Sequence, residues 1–381
     1  MSTQAPDNPA PPTSPPAVAS PGTTPSATPA AGALALEERT TKRRLADSRP
    51  TTRLGQLRED LSFLRGRGAL EIGGITAVVV VAFVVASLVA PGDFPFLNQS
   101  NFSGVLSQSI PVLAILAIGA GVLMIAGEFD LSLGAVIGLS AIVFIRVSNS
   151  SGWPIAFVAA IAVAVGAAVI NGLIVVLTRI PSFIATLGMA FFWTGVSIFV
   201  NGLTPAVFNP GVKTETMNTL FAGDFGWWRT QLLWLVGVGV LVWFLLHRHR
   251  WGNKVYAVGG NPAAAAAVSI KPKTVRLQAF AFMGLMVGLA SVLIAVRTSG
   301  MQPATTGDYT LLAIAAAVVG GCSLTGGRGT LLGMIIGAAL IRLIENGLIL
   351  GKAPGFYVQL FVGVSIVVAA VFNKLMEGKA T

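Results

Sequence analysis

The sequence is poor in charged residues, which make up 10% of its 381 residues against 54% apolar ones. Charged residues at this frequency could not cover the surface of a water-soluble protein. We therefore expect the chain to lie in a lipid bilayer. Cys322 is the single cysteine, which excludes an internal disulfide. No G-x-x-x-x-G-K-[ST] loop occurs, which excludes ATP binding by that device. His247 and His249 have no nearby Cys, Asp or Glu, so we expect no metal site.

The amino-terminal part has a different composition. Nine of the 21 prolines lie in the first 35 residues, and such a segment cannot bury apolar area, so we predict a disordered tail over 1–38. Nine Lys and Arg follow between Arg39 and Arg67, with leucines at helical spacing among them. We predict a basic cytoplasmic segment over 39–70, either an interfacial helix or a charged leader. No apolar run follows a basic cluster near Met1, so a cleaved secretory signal is not expected.

The apolar runs have the length of membrane spans, since a bilayer core of about 30 Å needs roughly 20 apolar helical residues. Ten such runs predict an all-α, polytopic membrane protein with a transmembrane domain over 71–376. They lie near 72–90, 104–126, 132–147, 153–177, 180–203, 230–247, 277–296, 309–325, 331–350 and 356–373. With the amino terminus inside, 19 of the 25 Lys and Arg fall on the inner side, which predicts that both termini are cytoplasmic.

The net charge of +10 is concentrated in the 39–70 segment and in the longest inner loop, 248–276. A nucleic-acid partner would also suit this charge. Basic clusters beside membrane spans are more simply explained by orientation and by anionic membrane lipid, so we expect no nucleic acid.

A short sequence repeat relates the two halves of the membrane domain. Asn-Gly-Leu-Ile at 171–174 precedes Pro-Ser-Phe at 181–183, and Asn-Gly-Leu-Ile at 346–349 precedes Pro-Gly-Phe at 354–356. The first copy joins the fourth and fifth spans and the second joins the ninth and tenth. Spans 2–5 therefore correspond to spans 7–10 with opposite membrane direction. Such an inverted repeat is how many transporters place a solute path near the midplane.

Polar residues in or beside the spans are candidates for lining that path. They are Asn171, Thr186, Gln302, Thr306 and Asn346, with Glu128 and Asp130 near the inner end. Uncharged groups suit a neutral hydroxylated solute, whereas an anionic one would need convergent Arg or Lys. Most polar residues in spans instead hold helices together, and Asp130 also suits a cap on the third helix.

Two glycine patterns indicate close backbone approach. Glycines four residues apart at 284/288 and 333/337 permit close helix crossing. Five glycines between 320 and 329 would let the chain unwind beside a path, or form a flexible connector.

Two stretches resemble one known family. The first is GEFDLSLGAVIGLSA at 127–141, and the second, 252–346, contains YAVGGNP at 256–262, SGMQP at 299–303 and GGCSLTGGRG at 320–329. They are similar to the sugar permeases of bacterial binding-protein-dependent ABC importers, of the ribose/xylose/galactose type. Similarity in order and spacing extends over about residues 72–373. Glu128 and Phe129 replace the small and aliphatic residues of the family's usual GGIDLSVG.

The resemblance implies a permease subunit in the bacterial cytoplasmic membrane that moves a pentose, hexose or related polyol. Its implied partners are an ABC ATPase, a second permease copy or paralogue, and an extracytoplasmic solute-binding protein. ATP and Mg would be bound by the ATPase, leaving this chain without a cofactor or a catalytic residue.

The segment 256–270 matches the family's loop that meets the ATPase. The residues expected to couple are Tyr256, Gly259, Gly260, Asn261, Pro262, Ala265 and Ile270. The two glycines would permit a turn before a short helix over 263–267, with Pro262 at its first position.

Three other functions remain open from the sequence. A secondary, ion-coupled transporter would also use an inverted repeat, with Glu128, Asp308 and Glu345 as titratable groups. An intramembrane enzyme would need a nucleophile with a base in the spans, which we do not find in the sequence. A membrane scaffold would not need the repeat.

Overall fold

The computed structural model describes residues 69–303 and 307–357, together with positions 360, 363, 364, 367 and 371. The tail predicted over 1–38, almost all of the basic segment over 39–70 and most of the tenth span lie outside these residues, as does Thr306.

Helices dominate the described part of the chain. They are α1 (Ala69–Val89), α2 (Gln99–Ile125), α3 (Leu133–Ser151), α4 (Trp153–Thr178), α5 (Ser182–Asn201), α6 (Glu215–Ala222), α7 (Thr230–His247), α8 (Arg250–Gly260), α9 (Pro262–Ala267), α10 (Pro272–Thr298), α11 (Gly307–Val319) and α12 (Leu331–Leu350). Four two-residue strands are β1 (Ala206–Val207), β2 (Asp224–Phe225), β3 (Trp228–Arg229) and β4 (Gly300–Met301). Among the described residues, eight helices are long and apolar enough to cross a membrane, and α11 is apolar but shorter. The all-α polytopic prediction is confirmed.

The predicted spans agree with these helices except at some ends. The span predicted over 309–325 is too long, because α11 stops at Val319. A Cβ atom on Gly320 would lie 2.3 Å from the carbonyl oxygen of Gly333, so the chain crosses α12 backbone to backbone. Gly321 then adopts a φ of 87°, which side-chain-bearing residues rarely adopt. The helix therefore ends where these glycines begin.

The contacts between helices follow the predicted repeat. α2 and α10, the first helices of the two halves, pack against each other. α2 also packs against α11 and α12, while α10 packs against α3 and α4, the equivalent helices of the other half. α3 packs on α4 as α11 packs on α12. The same pairing in both halves is what a two-fold relation between them requires. The counterpart of α5 would be the tenth span, which lies mostly outside the described residues.

Small residues allow the close crossings that the glycine spacing predicts. A Cβ atom on Gly284 of α10 would lie 2.8 Å from the carbonyl oxygen of Ala164 in α4. One on Gly337 of α12 would lie 2.2 Å from the carbonyl oxygen of Ala316 in α11. A contact between the two halves, α10 with α4, and a contact within the second half, α12 with α11, are thus both close enough to require glycine.

The bundle has two distinct ends, since α10 runs from one to the other. The basic end carries α8, α9 and the start of α10, with the cationic residues Arg248, Arg250, Lys254, Lys271, Lys273 and Arg276. The strand end carries β1 and β4, which pair antiparallel with Ala206 opposite Met301. There the Nζ atom of Lys213 donates to the carbonyl oxygen of Val296 at 3.0 Å and to Ser299 Oγ at 2.8 Å. Burial lowers the pKa of Lys213.

Candidate functional site

Three backbone segments meet at the basic end, in what we call the glycine junction: Ile125–Gly127 at the end of α2, Gly259–Gly260 in α8, and Gly326–Gly327 in the loop between α11 and α12. The amide of Gly327 donates to the carbonyl oxygen of Ile125 at 2.9 Å. A Cβ atom on Gly259 would lie 1.7 Å from that same oxygen, a distance that no packing adjustment of side chains can relieve. Glycine is therefore required at position 259.

The loop residues of the junction also need glycine. Gly127, Gly326 and Gly327 have φ values of 84°, 91° and 72°. A Cβ atom on Gly326 would lie 2.8 Å from the carbonyl oxygen of Gly259 and 2.9 Å from the Cα atom of Gly127. Nearby, the Tyr256 hydroxyl of α8 donates to the carbonyl oxygen of Gly329 at 2.9 Å. Helix α8 is thus fastened both to the end of α2 in the first half and to the 320–330 loop of the second half.

The short helix predicted after α8 is present as α9. Asn261 caps it by accepting from the amides of Ala263 and Ala264, each at 3.0 Å, and Pro262 occupies the first turn. Ala265 is buried, and Ile270 packs against the core. The remaining alanines of α9 are exposed, as is Val268 just beyond it.

The role predicted for the two glycines before α9 needs correction. Both lie inside α8 and form no turn. Gly260 is exposed and has open space where a Cβ atom would lie, whereas Gly259 is enclosed by the junction. The break between α8 and α9 occurs at Asn261, which is extended. Because Ala265 faces the protein, a test of docking belongs on the exposed side of α9 instead.

The segment between α2 and α3, residues 127–132, carries the two acidic residues singled out in the sequence. Glu128 is buried, and its Oε1 atom lies 3.0 Å from an Nη atom of Arg276 in the first turns of α10. This ion pair joins the α2–α3 connection of one half to the first helix of the other.

Asp130 is buried in a network of hydrogen bonds. Its Oδ1 atom accepts from the amide and hydroxyl of Ser132, at 2.7 and 2.6 Å, and its Oδ2 atom accepts from Asn171 Nδ2 at 3.0 Å. The Oδ1 atom of Asn171 in turn accepts from the indole nitrogen of Trp193 at 3.0 Å. Burial raises the pKa of Asp130, while the bonds from Ser132 and Asn171 oppose that shift. Asp130 lies three residues before Leu133, the first residue of α3, so it forms a turn ahead of α3 rather than capping the free amides of its first turn.

Two hydroxyl side chains of α5 hold the same segment. The amide of Phe129 donates to Ser182 Oγ, and the amide of Leu131 donates to Thr186 Oγ1, each at 3.0 Å. Three of the residues predicted to line a path, Asp130, Asn171 and Thr186, are therefore brought together in one packed network. Gln302 lies elsewhere, exposed directly after β4 at the strand end.

A cavity of about 300 Å³ lies between α2, α10, α11 and α12, and we call it the Arg342 cavity. Its lining residues are Val105, Ser109, Val112, Arg297, Tyr309, Arg342, Glu345, Asn346 and Ile349. The guanidinium of Arg342 donates to Glu345 one turn on, and it lies 5.9 Å from the centroid of the Tyr309 ring. Placing a charged group inside a membrane domain costs free energy, so such groups usually face a cavity, as Arg342 and Glu345 do.

The predicted path residue Asn346 lines this cavity and is anchored by a second asparagine. Asn346 Nδ2 donates to Asn101 Oδ1 at 2.8 Å, and Asn101 Nδ2 donates back to Asn346 Oδ1 at 3.2 Å. Asn101 directly precedes a π-helical turn over Phe102–Leu106, which supplies Val105 to the cavity wall. Such turns inside α-helices are frequent at functional sites.

Sequence reasoning did not predict Arg297, Tyr309 and Arg342 as part of a site. Arg342 and Glu345 stand three residues apart within an apolar span, which places them on one helix face. That spacing was the available signal. No sequence signal indicated that Tyr309 and Arg297 approach Arg342 from other helices.

Comparison with known proteins agrees with this architecture. The family model described as branched-chain amino acid transport system / permease component matches residues 101–370. The chain is 32% identical to the ribose import permease protein of Escherichia coli (strain K12) over 314 residues, covering 80% of this chain and 94% of that protein. It is 31% identical to the galactose/methyl galactoside import permease protein of the same strain over 323 residues, covering 80% and 95%.

A third relative, the probable ABC transporter permease protein of Escherichia coli (strain K12), is 30% identical over 316 residues, covering 81% of this chain and 91% of that protein. Two of these relatives are named import permeases and the third an ABC transporter permease, which favours an importer permease over a secondary transporter and indicates a non-enzymatic membrane subunit. The chain therefore belongs to the family of transport-system permease components, as a multi-pass membrane protein.

Proposed function

We propose that this chain is the permease subunit of an ATP-driven importer that moves a pentose, hexose or related polyol across the bacterial cytoplasmic membrane. Its partners are an ABC ATPase that binds ATP and Mg, an extracytoplasmic solute-binding protein, and a second copy or paralogue of the permease. The import of ribose and galactose by relatives that are 32% and 31% identical to it over the aligned residues supports the sugar class.

The glycine junction is the observation that carries this proposal. A permease that is moved by a separate ATPase subunit needs one element that contacts both moving halves. Helix α8 does so through Gly259 and Tyr256, which contact the end of α2 and the 320–330 loop. Because these contacts involve backbone atoms with no free space, a displacement of α8 is transmitted to both halves. An element of a secondary transporter would have no need of such a connection to a cytoplasmic partner.

The exposed side of α9 is the surface on which we place the ATPase. Its alanines allow close approach to a groove on a partner, and Val268 adds an apolar side chain that is 70% exposed. Six cationic residues lie at the same end, on α8, on the start of α10 and in the adjoining connections, and cationic excess marks the cytoplasmic side of membrane proteins. This orientation puts the strand end outside, where the binding protein delivers solute.

The solute path lies between the two halves of the repeat. Asn346 contributes to it at the Arg342 cavity. Asn171, Thr186, Glu128 and Asp130 act at its inner end, where they fix the 127–132 segment against α5 and α10. Gln302 and Thr306 stay predictions for its outer side.

Reconstitution tests the proposal. The chain is co-expressed with its partner ATPase, and the complex is purified and placed in proteoliposomes with the solute-binding protein outside. Uptake of labelled D-ribose and D-galactose is then measured with and without ATP in the lumen, which corresponds to the cytoplasm. We expect uptake that requires ATP, the ATPase and the binding protein together. Uptake driven by a proton gradient without the ATPase would instead establish a secondary transporter.

A docking variant separates the ATPase contact from general damage. Val268→Glu places a charge directly after α9, on the surface assigned to the ATPase, and should abolish co-purification of the ATPase. Phe225→Glu changes an apolar residue of similar exposure at the strand end and should leave co-purification intact. Equal recovery of the ATPase with both variants would refute the assignment of α9.

A further inference from the structure

Helix α7 has an exposed apolar face that runs along its whole length. The helix contains 18 residues and is therefore about 27 Å long, close to the roughly 30 Å of a bilayer core, so its two ends lie at the two membrane interfaces. The exposed residues of this face recur every three or four positions, at Leu233, Val236, Val240 and Phe244. This spacing places them on one side of the helix, where they can contact acyl chains.

An aromatic and cationic group of side chains continues this face at the basic end. Trp243 is 46% exposed, and its ring stacks on the imidazole of His247 with the ring centroids 6.2 Å apart. The Cζ atom of Arg248 lies over the same indole, 5.5 Å from its centroid. We call these three exposed residues the Trp243 cluster. The cluster stands where the apolar face of α7 meets water.

The positive charge of Arg248 is not compensated by the chain. The ion pairs found among the described residues involve other cations, and no Asp or Glu occurs in the sequence between Asp224 and Asp308. Arg250 and Lys254 follow on α8 and are also exposed. A guanidinium that lies over an aromatic ring keeps the N–H donors at its edge available. The cluster therefore suits an anion that accepts hydrogen bonds.

The order of groups along α7 matches the order of groups in a phospholipid. The apolar face can contact the acyl chains, and Trp243 lies near the level of the glycerol backbone, where indole rings are enriched in membrane proteins. Arg248 lies just beyond it and can donate two parallel hydrogen bonds to a phosphate. A small soluble anion would match only the last of these three contacts.

Two other occupants suit the cluster less well. Trp243 precedes the last residue of α7 by four positions, about 6 Å, so a cytoplasmic protein would have to reach below the lipid headgroups to contact its ring. A second permease copy, related by a two-fold axis along the membrane normal, would present the same end of the same helix. That contact would bring Arg248 and Arg250 toward their own counterparts with no acidic residue of α7 or α8 between them.

We propose that the Trp243 cluster binds the phosphodiester headgroup of an anionic phospholipid, whose acyl chains lie on the exposed face of α7. Arg248 stands between α7 and α8, so the bound lipid holds the start of the helix that forms the glycine junction. The inference concerns membrane lipid alone and does not depend on which solute the chain transports.

Lipid competition tests the charge contact. The purified full-length chain is placed in detergent with equal amounts of phosphatidylglycerol and phosphatidylcholine, and native mass spectrometry measures the ratio of the two bound lipids. We expect phosphatidylglycerol to be preferred. Arg248→Gln should lower that preference about fivefold, which corresponds to about 1 kcal/mol for one basic residue near an anionic surface. Lys273→Gln removes the same charge from an exposed position at the start of α10 and should leave the preference intact.

Ring variants test the role of Trp243. Trp243→Leu removes the aromatic face under Arg248 and should lower the preference about two- to fivefold, as expected for an exposed cation–π contact. Trp243→Phe keeps a ring and should stay within about twofold of the unmodified chain. Melting temperatures in phosphatidylcholine alone should be equal for all variants. Phosphatidylglycerol should raise the melting temperature of the unmodified chain more than that of Arg248→Gln.

Four results would overturn the site. They are equal retention of the two lipids by the unmodified chain, equal effects of Arg248→Gln and Lys273→Gln, displacement of the lipid by excess inorganic phosphate, and its release when the ATPase binds. The second would indicate a general surface charge, the third a site for free phosphate, and the fourth a surface that belongs to the ATPase. Failure of sugar uptake would refute the importer function and leave the lipid site standing.

Discussion

The carbonyl oxygen of Ile125, the last residue of α2, accepts a hydrogen bond of 2.9 Å from the amide of Gly327 in the opposite half of the repeat. Gly259 of α8 lies so close to the same oxygen that a methyl group there would overlap it. One backbone atom is thus the meeting point of the first half, the second half and the segment between them.

Substituting the two adjacent glycines of α8 should have opposite results. Gly259→Ala places a Cβ atom 1.7 Å from Ile125 O, so α8 must move away from the junction. Gly260→Ala meets nothing within 4 Å. We expect Gly259→Ala to lose ATP-dependent sugar uptake in proteoliposomes and Gly260→Ala to retain it. Equal uptake by both variants would show that the junction does not transmit motion.

Tyr256 offers a milder test of the same connection. Tyr256→Phe removes the hydroxyl that donates to Gly329 O, a bond typically worth about 0.5–1.5 kcal/mol. We expect more ATP to be hydrolysed per sugar imported, because α8 is held less firmly to the second half. The measurement is the ratio of ATPase rate to uptake rate in the same proteoliposomes. An unchanged ratio would contradict this role.

The Asp130 network should be sensitive to a single atom exchange. Asp130→Asn turns an acceptor facing Asn171 Nδ2 into a donor, and it should lower the free energy of unfolding by about 1–3 kcal/mol. Asp93→Asn is a control, because Asp93 is exposed and lies 3.5 Å from an exposed Lys352. Thermal unfolding in detergent measures both. Similar melting temperatures for the two variants would argue against a structural role for Asp130.

The ion pair between Glu128 and Arg276 should show coupling that a surface pair lacks. A double-mutant cycle with Glu128→Gln and Arg276→Gln is expected to give an interaction energy of about 1 kcal/mol, since Glu128 is buried. The exposed pair of Asp93 and Lys352 should give nearly zero in a parallel cycle. Each cycle compares the thermal stability of the unmodified protein, the two single variants and the double variant. Coupling near zero in both would mean that solvent screens Glu128 despite its burial.

Membrane orientation follows from charge and can be checked with reporters. The excess of Lys and Arg at the basic end predicts that this end and both termini are cytoplasmic. A phosphatase reporter fused after Thr381 should be inactive, and one inserted at the exposed Gly211, in the 202–214 connection at the strand end, should be active. The reverse pattern would invert the proposed direction of solute entry.

Among the described residues, hydropathy alone located the membrane-spanning helices, because a bilayer imposes span length on the sequence. Asn261 and Pro262 likewise predicted the start of α9, since helix capping depends on residues that are close in sequence. The early end of α11 was not foreseen, because it depends on the contact between Gly320 and Gly333 of two different helices.

The candidate site was predictable only where its contacts are local in the chain. Asn346 was singled out as a polar residue in a span, and it does line a cavity. Asn171 was singled out on the same ground, yet it packs against Asp130 and Trp193. One sequence signal thus leads to two environments, and only the arrangement of neighbouring helices distinguishes them.

The glycine junction is built from main-chain atoms, and this has a consequence for how such permeases diversify. The junction glycines have no side chains and meet through main-chain atoms. Exchanging a side chain elsewhere therefore leaves their contacts unaltered. The residues around Arg342 and Glu345 lie in a different part of the bundle, so they are free to change while the junction stays the same. Under the proposed function, a change of solute and conservation of the coupling to the ATPase would therefore involve separate positions. A permease engineered to transport a different solute should still work with its original ATPase.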